Sequence, residues 1–290
     1  MLSEVFKLFW KTVEMKDARR INSQTPPTEI EQFCDIQYID DGLWQHRLDV
    51  YSKSGKLSHR PVIIDIHGGG WMYGTKEINK NYCLVLAQND YVVVNINYRL
   101  APDFSVADQL RDCFFAFKWV STNIEKYGGD LNDVFVTGDS AGGFLAAYSA
   151  LLNSSDKLRK VFGVTESGLE FRACGLTSPV CFMNTHTFQD VYYSRVKGKE
   201  FSESTLRGFE NFDAVLNKGS MPPTFLVTSS GDAVGRLPTI KIYNLLCGEG
   251  VKCKLENRVF SVIDPFSVPG KETISDMLGF FSDYAKSRCK

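Results

Sequence analysis

The sequence predicts an α/β fold, a mostly parallel central sheet with helices on both faces, and three observations predict it. Uniformly apolar runs, PVIIDI at 61–66, YVVVNI at 91–96 and VFVT at 134–137, alternate with segments of helical period. Strands that are apolar on both sides belong to sheets covered on both faces. Two of these runs end directly in glycine-rich turns, at 67–70 and 138–143. The chain of 290 residues also shows no internal repeat, low-complexity tract or linker, so one domain over 1–290 is expected.

The elements follow in order. Residues 1–20 carry apolar side chains at helical spacing and read as an amphipathic helix. Segments 33–38 and 46–52 read as opening strands, 61–70 as a buried strand running into a glycine loop, and 91–98 as another strand. A helical pattern over 105–127 stops at Gly128-Gly129. VFVTGDSAGG at 134–143 is strand, tight turn and helix start, and the helix continues through FLAAYSALL. Later strands fall near 173–177, 223–229 and 251–256, with helices at 237–248 and 271–287. Residues 181–220 break the rhythm. With the N-terminal 1–30 they are expected to form a small cap over the sheet's C-terminal edge, where open α/β sheets bind ligands.

Bulk properties narrow the function. A net charge of −1 gives no reason to expect nucleic acid or an anionic membrane as partner. The eight cysteines contain no CxxC pair or Cys/His cluster of zinc-like spacing, so they read as reduced thiols, several of them in the core. Charges interrupt the N-terminal segment, unlike a signal peptide, and no later run is long enough to span a bilayer. A cytoplasmic location is expected.

Two turns carry chemistry. Gly138-Asp139-Ser140-Ala141-Gly142 fits G-x-S-x-G, and it lies between an apolar strand and a helical run, the context that gives the pattern meaning. Glycines flank the serine because a side chain in so tight a turn would clash. The helix start offers free N–H groups to a developing oxyanion. His67-Gly68-Gly69-Gly70-Trp71 follows a second buried strand. Its glycines let backbone N–H groups turn inward and let a substrate approach closely. No lysine follows at P-loop spacing, so an oxyanion hole ranks above a phosphate cradle. His67 itself reads as structural.

HGGG at 67–70, NYRLAP at 97–102, YGGD at 127–130 and GDSAGG at 138–143, in this order, resemble the hormone-sensitive-lipase-like carboxylesterase branch of the α/β hydrolases. The resemblance implies the α/β-hydrolase fold and cofactor-free hydrolysis of short-chain or aryl esters. It implies Ser140 as nucleophile, with Gly68, Gly69, Gly70 and Ala141 around the oxyanion. The acid of that family follows a late strand, and Asp232, after PTFLVTS, stands there in the order Ser…Asp…His.

The histidine does not follow. The chain has His46, His59, His67 and His186, and none lies beyond Asp232. The family's histidine stands two residues before a phenylalanine ahead of the last helix. Two frames fit: Arg258 before Phe260 and Asp264 before Phe266. Spacing to the final helix favours Arg258, and spacing back to Asp232 leaves Asp264. Arginine cannot accept the serine proton. If Arg258 fills the slot, its guanidinium is expected to pair with Asp232. His186, in the cap segment, reads as a surface or substrate-contacting residue. Two functions therefore stand ahead of a weaker third, a structural partner protein that uses the cap for assembly. One is an ester hydrolase weakened by the lost base. The other is a ligand-binding protein on the same scaffold, a situation similar to that of the plant gibberellin receptor. In either case the partner is a small-molecule ester or carboxylate, and homodimerisation stays open.

Overall fold

The computed structural model describes residues 2–55, 59–183, 189–203, 206–259 and 268–286. Helix α1 (Leu2–Asn22) precedes β1 (Ile30–Gln37), β2 (Arg47–Lys53) and β3 (Arg60–Ile66). Then come α2 (Lys80–Gln88), β4 (Val92–Ile96), α3 (Val106–Asn123), β5 (Gly129–Asp139), α4 (Ala141–Asn153), α5 (Asp156–Phe162) and β6 (Phe171–Thr177). The chain continues through α6 (Asp190–Glu203), α7 (Phe212–Leu216), β7 (Thr224–Ser229), α8 (Arg236–Gly248), β8 (Cys253–Arg258) and α9 (Val268–Tyr284).

The strands form one sheet in the order β1-β2-β4-β3-β5-β6-β7-β8. The pairs β1–β2 and β2–β4 are antiparallel, and every later pairing is parallel. This is the mostly parallel sheet that the apolar runs predict. Alternation along β3 shows why those runs carry no polar face. Val62, Ile64 and Ile66 join one cluster with Phe114 and Phe117 of α3 and Phe144 and Leu145 of α4. Ile63, between them, packs on the other side with Leu84 of α2 and Met277 and Phe281 of α9. Both faces are covered, so β3 is apolar on both sides, and its one buried carboxylate, Asp65, is held by hydrogen bonds.

Two helices have no counterpart in the sequence reading. α2 and α5 have nine and seven residues, too few for a 3.6-residue period to stand out. Within 181–220 the described residues form α6, broken at Gly198 (φ 64°), and α7. No helix among the described residues is long and apolar enough to cross a membrane. Because β3, β5, β6 and β7 are parallel, the loops after Ile66, Asp139, Thr177 and Ser229 leave the same edge of the sheet. That edge carries both glycine-rich turns.

Candidate active site

Ser140 sits between β5 and α4 at φ 52° and ψ −112°, a conformation that a side-chain-bearing residue adopts only when its surroundings impose it. Its N–H donates to the Thr177 carbonyl at 2.8 Å, and its own carbonyl accepts from Phe144 and Val180. The Oγ makes no hydrogen bond within the described residues. Closeness forces the flanking glycines. A Cβ on Gly142 would lie 1.9 Å from the Ile66 carbonyl oxygen, and one on Gly138 would lie 2.4 Å from that of Gly142. The turn is thereby pressed onto the end of β3.

The glycine loop meets the turn there. Gly68 N–H donates to Asp139 Oδ1 at 3.0 Å. The Gly68 N–H, expected around the oxyanion, is engaged here in holding the loop to the turn. Gly69 (φ 116°) and Gly70 (φ 57°) take backbone angles that glycine alone accepts without strain. The Gly69 carbonyl accepts from Met72 and Tyr73. The N–H groups of Gly69, Gly70 and Ala141 have no acceptor within the described residues.

The two segments expected to form the cap each place a side chain at Gly70. Tyr192 of α6 donates its hydroxyl to the Gly70 carbonyl at 2.5 Å. Trp10 of α1 packs so closely that a Cβ on Gly70 would lie 2.4 Å from its ring. Trp10 also stacks on Tyr73, with centroids 5.4 Å apart.

His67 is buried, donates Nδ1–H to the Gly68 carbonyl at 2.7 Å, and stacks on Tyr98. Burial pulls its pKa down to about 4, so it stays neutral and serves the loop's shape. His46 lies between Asp41 (2.6 Å) and Asp112 (3.2 Å), and the same Asp112 holds Arg99 of the NYRLAP segment. His59 is exposed ahead of β3, at the opposite edge of the sheet from the turn. His186 and Asp264 lie outside the described residues.

Asp232 follows β7. Its Oδ1 accepts from the N–H groups of Val234 (3.0 Å) and Gly235 (2.8 Å), which fixes the carboxylate in a turn of its own. Gly235 presses on Ser178, the neighbour of the Thr177 that accepts from Ser140. The described residues therefore link Ser140 to Asp232 through two adjoining loops. Arg258 behaves otherwise. Its guanidinium bonds Glu256 (2.6 Å), Asp276 (2.8 Å) and Glu272 (3.2 Å), and none of its bonds reaches Asp232. The expected Arg258–Asp232 pair is corrected. Glu256, two residues back on the same strand, shares a face with Arg258, and α9 supplies two further carboxylates there.

The BD-FAE family model matches residues 48–194, about half of the chain, and this stretch holds both turns. The chain belongs to the BD-FAE family. Its wider setting is the hormone-sensitive-lipase-like carboxylesterases of the α/β-hydrolase superfamily. Esterase B from Lactobacillus rhamnosis superposes with a TM-score of 0.91 at 28% identity, over 99% of this chain and 96% of that one. Isoprenylcysteine alpha-carbonyl methylesterase ICME of Arabidopsis thaliana is 28% identical over 65% of this chain and 46% of its own length. Carboxylesterase NlhH of Mycobacterium tuberculosis is 32% identical over 48% of this chain and 45% of its own. The chain thus spans less than half the length of the curated relatives it matches.

Behind the turn, this BD-FAE-family chain holds a polar network that no sequence motif announces. Asn79 Nδ2 donates to Asp139 Oδ1 and Asp65 Oδ2, each at 2.9 Å. Thr137 donates to Asp65 Oδ1 at 2.8 Å. Asp65, Asn79 and Asp139 border a cavity of about 30 Å³, with Thr177, Thr273 and Met277 on its other walls. Burial first, and then the neighbouring Asp139, push Asp65 up to about 7. Burial also raises Asp139. Among the described residues no group of three or more His, Cys, Asp or Glu side chains is arranged to hold a metal ion.

Proposed function

We propose that this chain is a serine hydrolase of short-chain or aryl carboxylic esters, with Ser140 as nucleophile and a base slot that leaves turnover slow. One observation carries the reading. The Gly68–Asp139 bond and the Gly142–Ile66 contact hold the glycine loop against the serine turn, which leaves three unspent N–H groups beside Ser140. An ester carbonyl lying between them places its carbon at Oγ. Attack moves charge onto the carbonyl oxygen, which the N–H groups of Gly69, Gly70 and Ala141 stabilise. Collapse breaks the ester C–O bond, the serine proton reaches the departing alcohol through solvent, and water then removes the acyl group from Ser140 as the carboxylic acid.

The segments bordering the site suit an uncharged ester. Phe9 beside Trp10, Val191 beside Tyr192, and Val234 and Val259 near Asp232 are all exposed and apolar. The weak point is the serine proton. His46, His59 and His67 are each engaged or placed elsewhere, and no histidine follows Asp232 in the sequence. That absence favours a second reading, in which the same cradle retains a carboxylate ligand.

Hydrolysis of p-nitrophenyl butyrate by the chain and by Ser140→Ala separates the two. Slow turnover that Ser140→Ala lowers to the buffer rate, with an acyl adduct on Ser140 in the intact mass, supports the hydrolase. Saturable butyrate binding without Ser140-dependent turnover would replace it with the binding protein.

A further inference from the structure

Away from the serine turn, Cys247 and Cys253 bring their sulfurs to 3.2 Å. The fold forces this approach. α8 ends at Gly248, Gly250 takes φ 73°, and Val251 N–H bonds back to the Leu246 carbonyl at 2.9 Å. That left-handed closure reverses the chain within a few residues and sets Cys253, the first residue of β8, beside the last turn of α8. The two thiols differ in access. Cys247 is exposed, and Cys253 is half-buried. By contrast Cys83, Cys113, Cys174 and Cys181 are buried in the core, Cys34 is exposed, and Cys289 lies outside the described residues.

We propose that Cys247 and Cys253 are a reversible thiol–disulfide modification site whose oxidant is a small disulfide of the glutathione class. The Cys247 thiolate attacks one sulfur of the oxidant, breaks its S–S bond and releases one small thiol. The Cys253 sulfur, losing its proton, then attacks the Cys247 sulfur of the mixed disulfide and releases the second small thiol. Two protein thiols become one disulfide, one small disulfide becomes two small thiols, and atoms and electrons balance. Access assigns the order, since the exposed sulfur meets the oxidant first. Burial, followed by the contact with Cys247, pushes the Cys253 thiol up to about 12, which makes it the poorer first nucleophile. Closure needs the sulfurs to approach by about 1 Å, within the reach of side-chain rotation.

The bridge would pin α8 to the start of β8. The far end of β8 supports the acid turn, where Ser230 N–H donates to the Arg258 carbonyl at 2.7 Å.

The experiment incubates the full chain with oxidised glutathione, denatures it, alkylates the remaining thiols and maps them by mass. The expected result is a Cys247–Cys253 link that dithiothreitol reverses, with an upward shift of a few degrees in the thermal midpoint. Cys253→Ser should stall as a glutathione adduct on Cys247, and Cys247→Ser should leave Cys253 free. A parent protein that keeps glutathione on Cys247, or leaves both thiols alkylatable, would overturn the proposal. So would a link from either residue to Cys34 or Cys289. Because the readout is thiol chemistry, the outcome is independent of whether Ser140 turns over esters.

Discussion

Asp139 accepts the Gly68 N–H at 3.0 Å, so the residue before the candidate nucleophile holds the loop that faces it. The two are far apart in sequence, and the bond fixes the distance between Ser140 and the N–H groups of Gly69 and Gly70. Asp139→Ala should therefore slow Ser140 chemistry while leaving Ser140 in place. Removing an oxyanion donor outright costs about 10²–10³ in rate, and loosening the loop should cost on the order of tenfold. Labelling of Ser140 by an aryl phosphonate, followed by mass, reads this directly. An unchanged labelling rate would show that the loop holds its shape without Asp139.

The pair Asp65 and Asp139 makes stability depend on pH. An unfolded aspartate titrates near ~4, while burial raises Asp65 to about 7 in the folded chain. Between those values the folded state keeps a proton that the unfolded state has lost. The contribution is therefore complete below ~4 and disappears as pH climbs through 7. The expected loss between pH 5 and pH 8 is on the order of 2 kcal/mol, and Asp65→Asn should flatten most of it. Asp139, raised in the same direction, leaves a residual slope. Urea unfolding at the two pH values checks this, and identical slopes in parent and variant would count against it.

A histidine placed at Arg258 should not restore a base. Its side chain occupies the face shared with Glu256, Glu272 and Asp276. The Val259 carbonyl, one residue on, accepts the hydroxyl of Ser230, two residues before Asp232, at 3.0 Å. Single histidines across 259–267, Asp264→His among them, should include one that raises p-nitrophenyl butyrate hydrolysis by about 10²-fold or more, the usual worth of a positioned base. Arg258→His should stay within about twofold of the parent. A large gain at 258 with none beyond it would reverse this assignment.

Gly142→Ala tests how tightly the turn sits on β3. Its Cβ would enter the Ile66 carbonyl at 1.9 Å and the His67 carbonyl at 2.5 Å, and both are backbone that cannot rotate away. A cost of about 1–3 kcal/mol follows from such overpacking, with a thermal midpoint lowered by several degrees. Full thermal stability in the variant would mean that the turn stands off the strand.

Local pattern was enough for much of this molecule. Apolar runs covered on both faces marked β3, β4 and β5, and the glycines at 68–70 and 138–142 marked the turns, because backbone geometry at a strand end selects residues within a few positions. The sequence also determined that no histidine follows Asp232. Other features were settled only by the tertiary structure. Asn79 carries no motif, yet it joins two buried carboxylates that come from different strands. Nothing local to Gly68 announces that Asp139 accepts its N–H. Arg258 could have met any nearby carboxylate, and the packing of α9 against β8 supplied Glu272 and Asp276 in place of Asp232. The physical reason is the range of the forces. Turn chemistry and strand burial act on neighbours in sequence, whereas hydrogen-bond and ion-pair partners are chosen by whichever surface folding brings within about 3 Å.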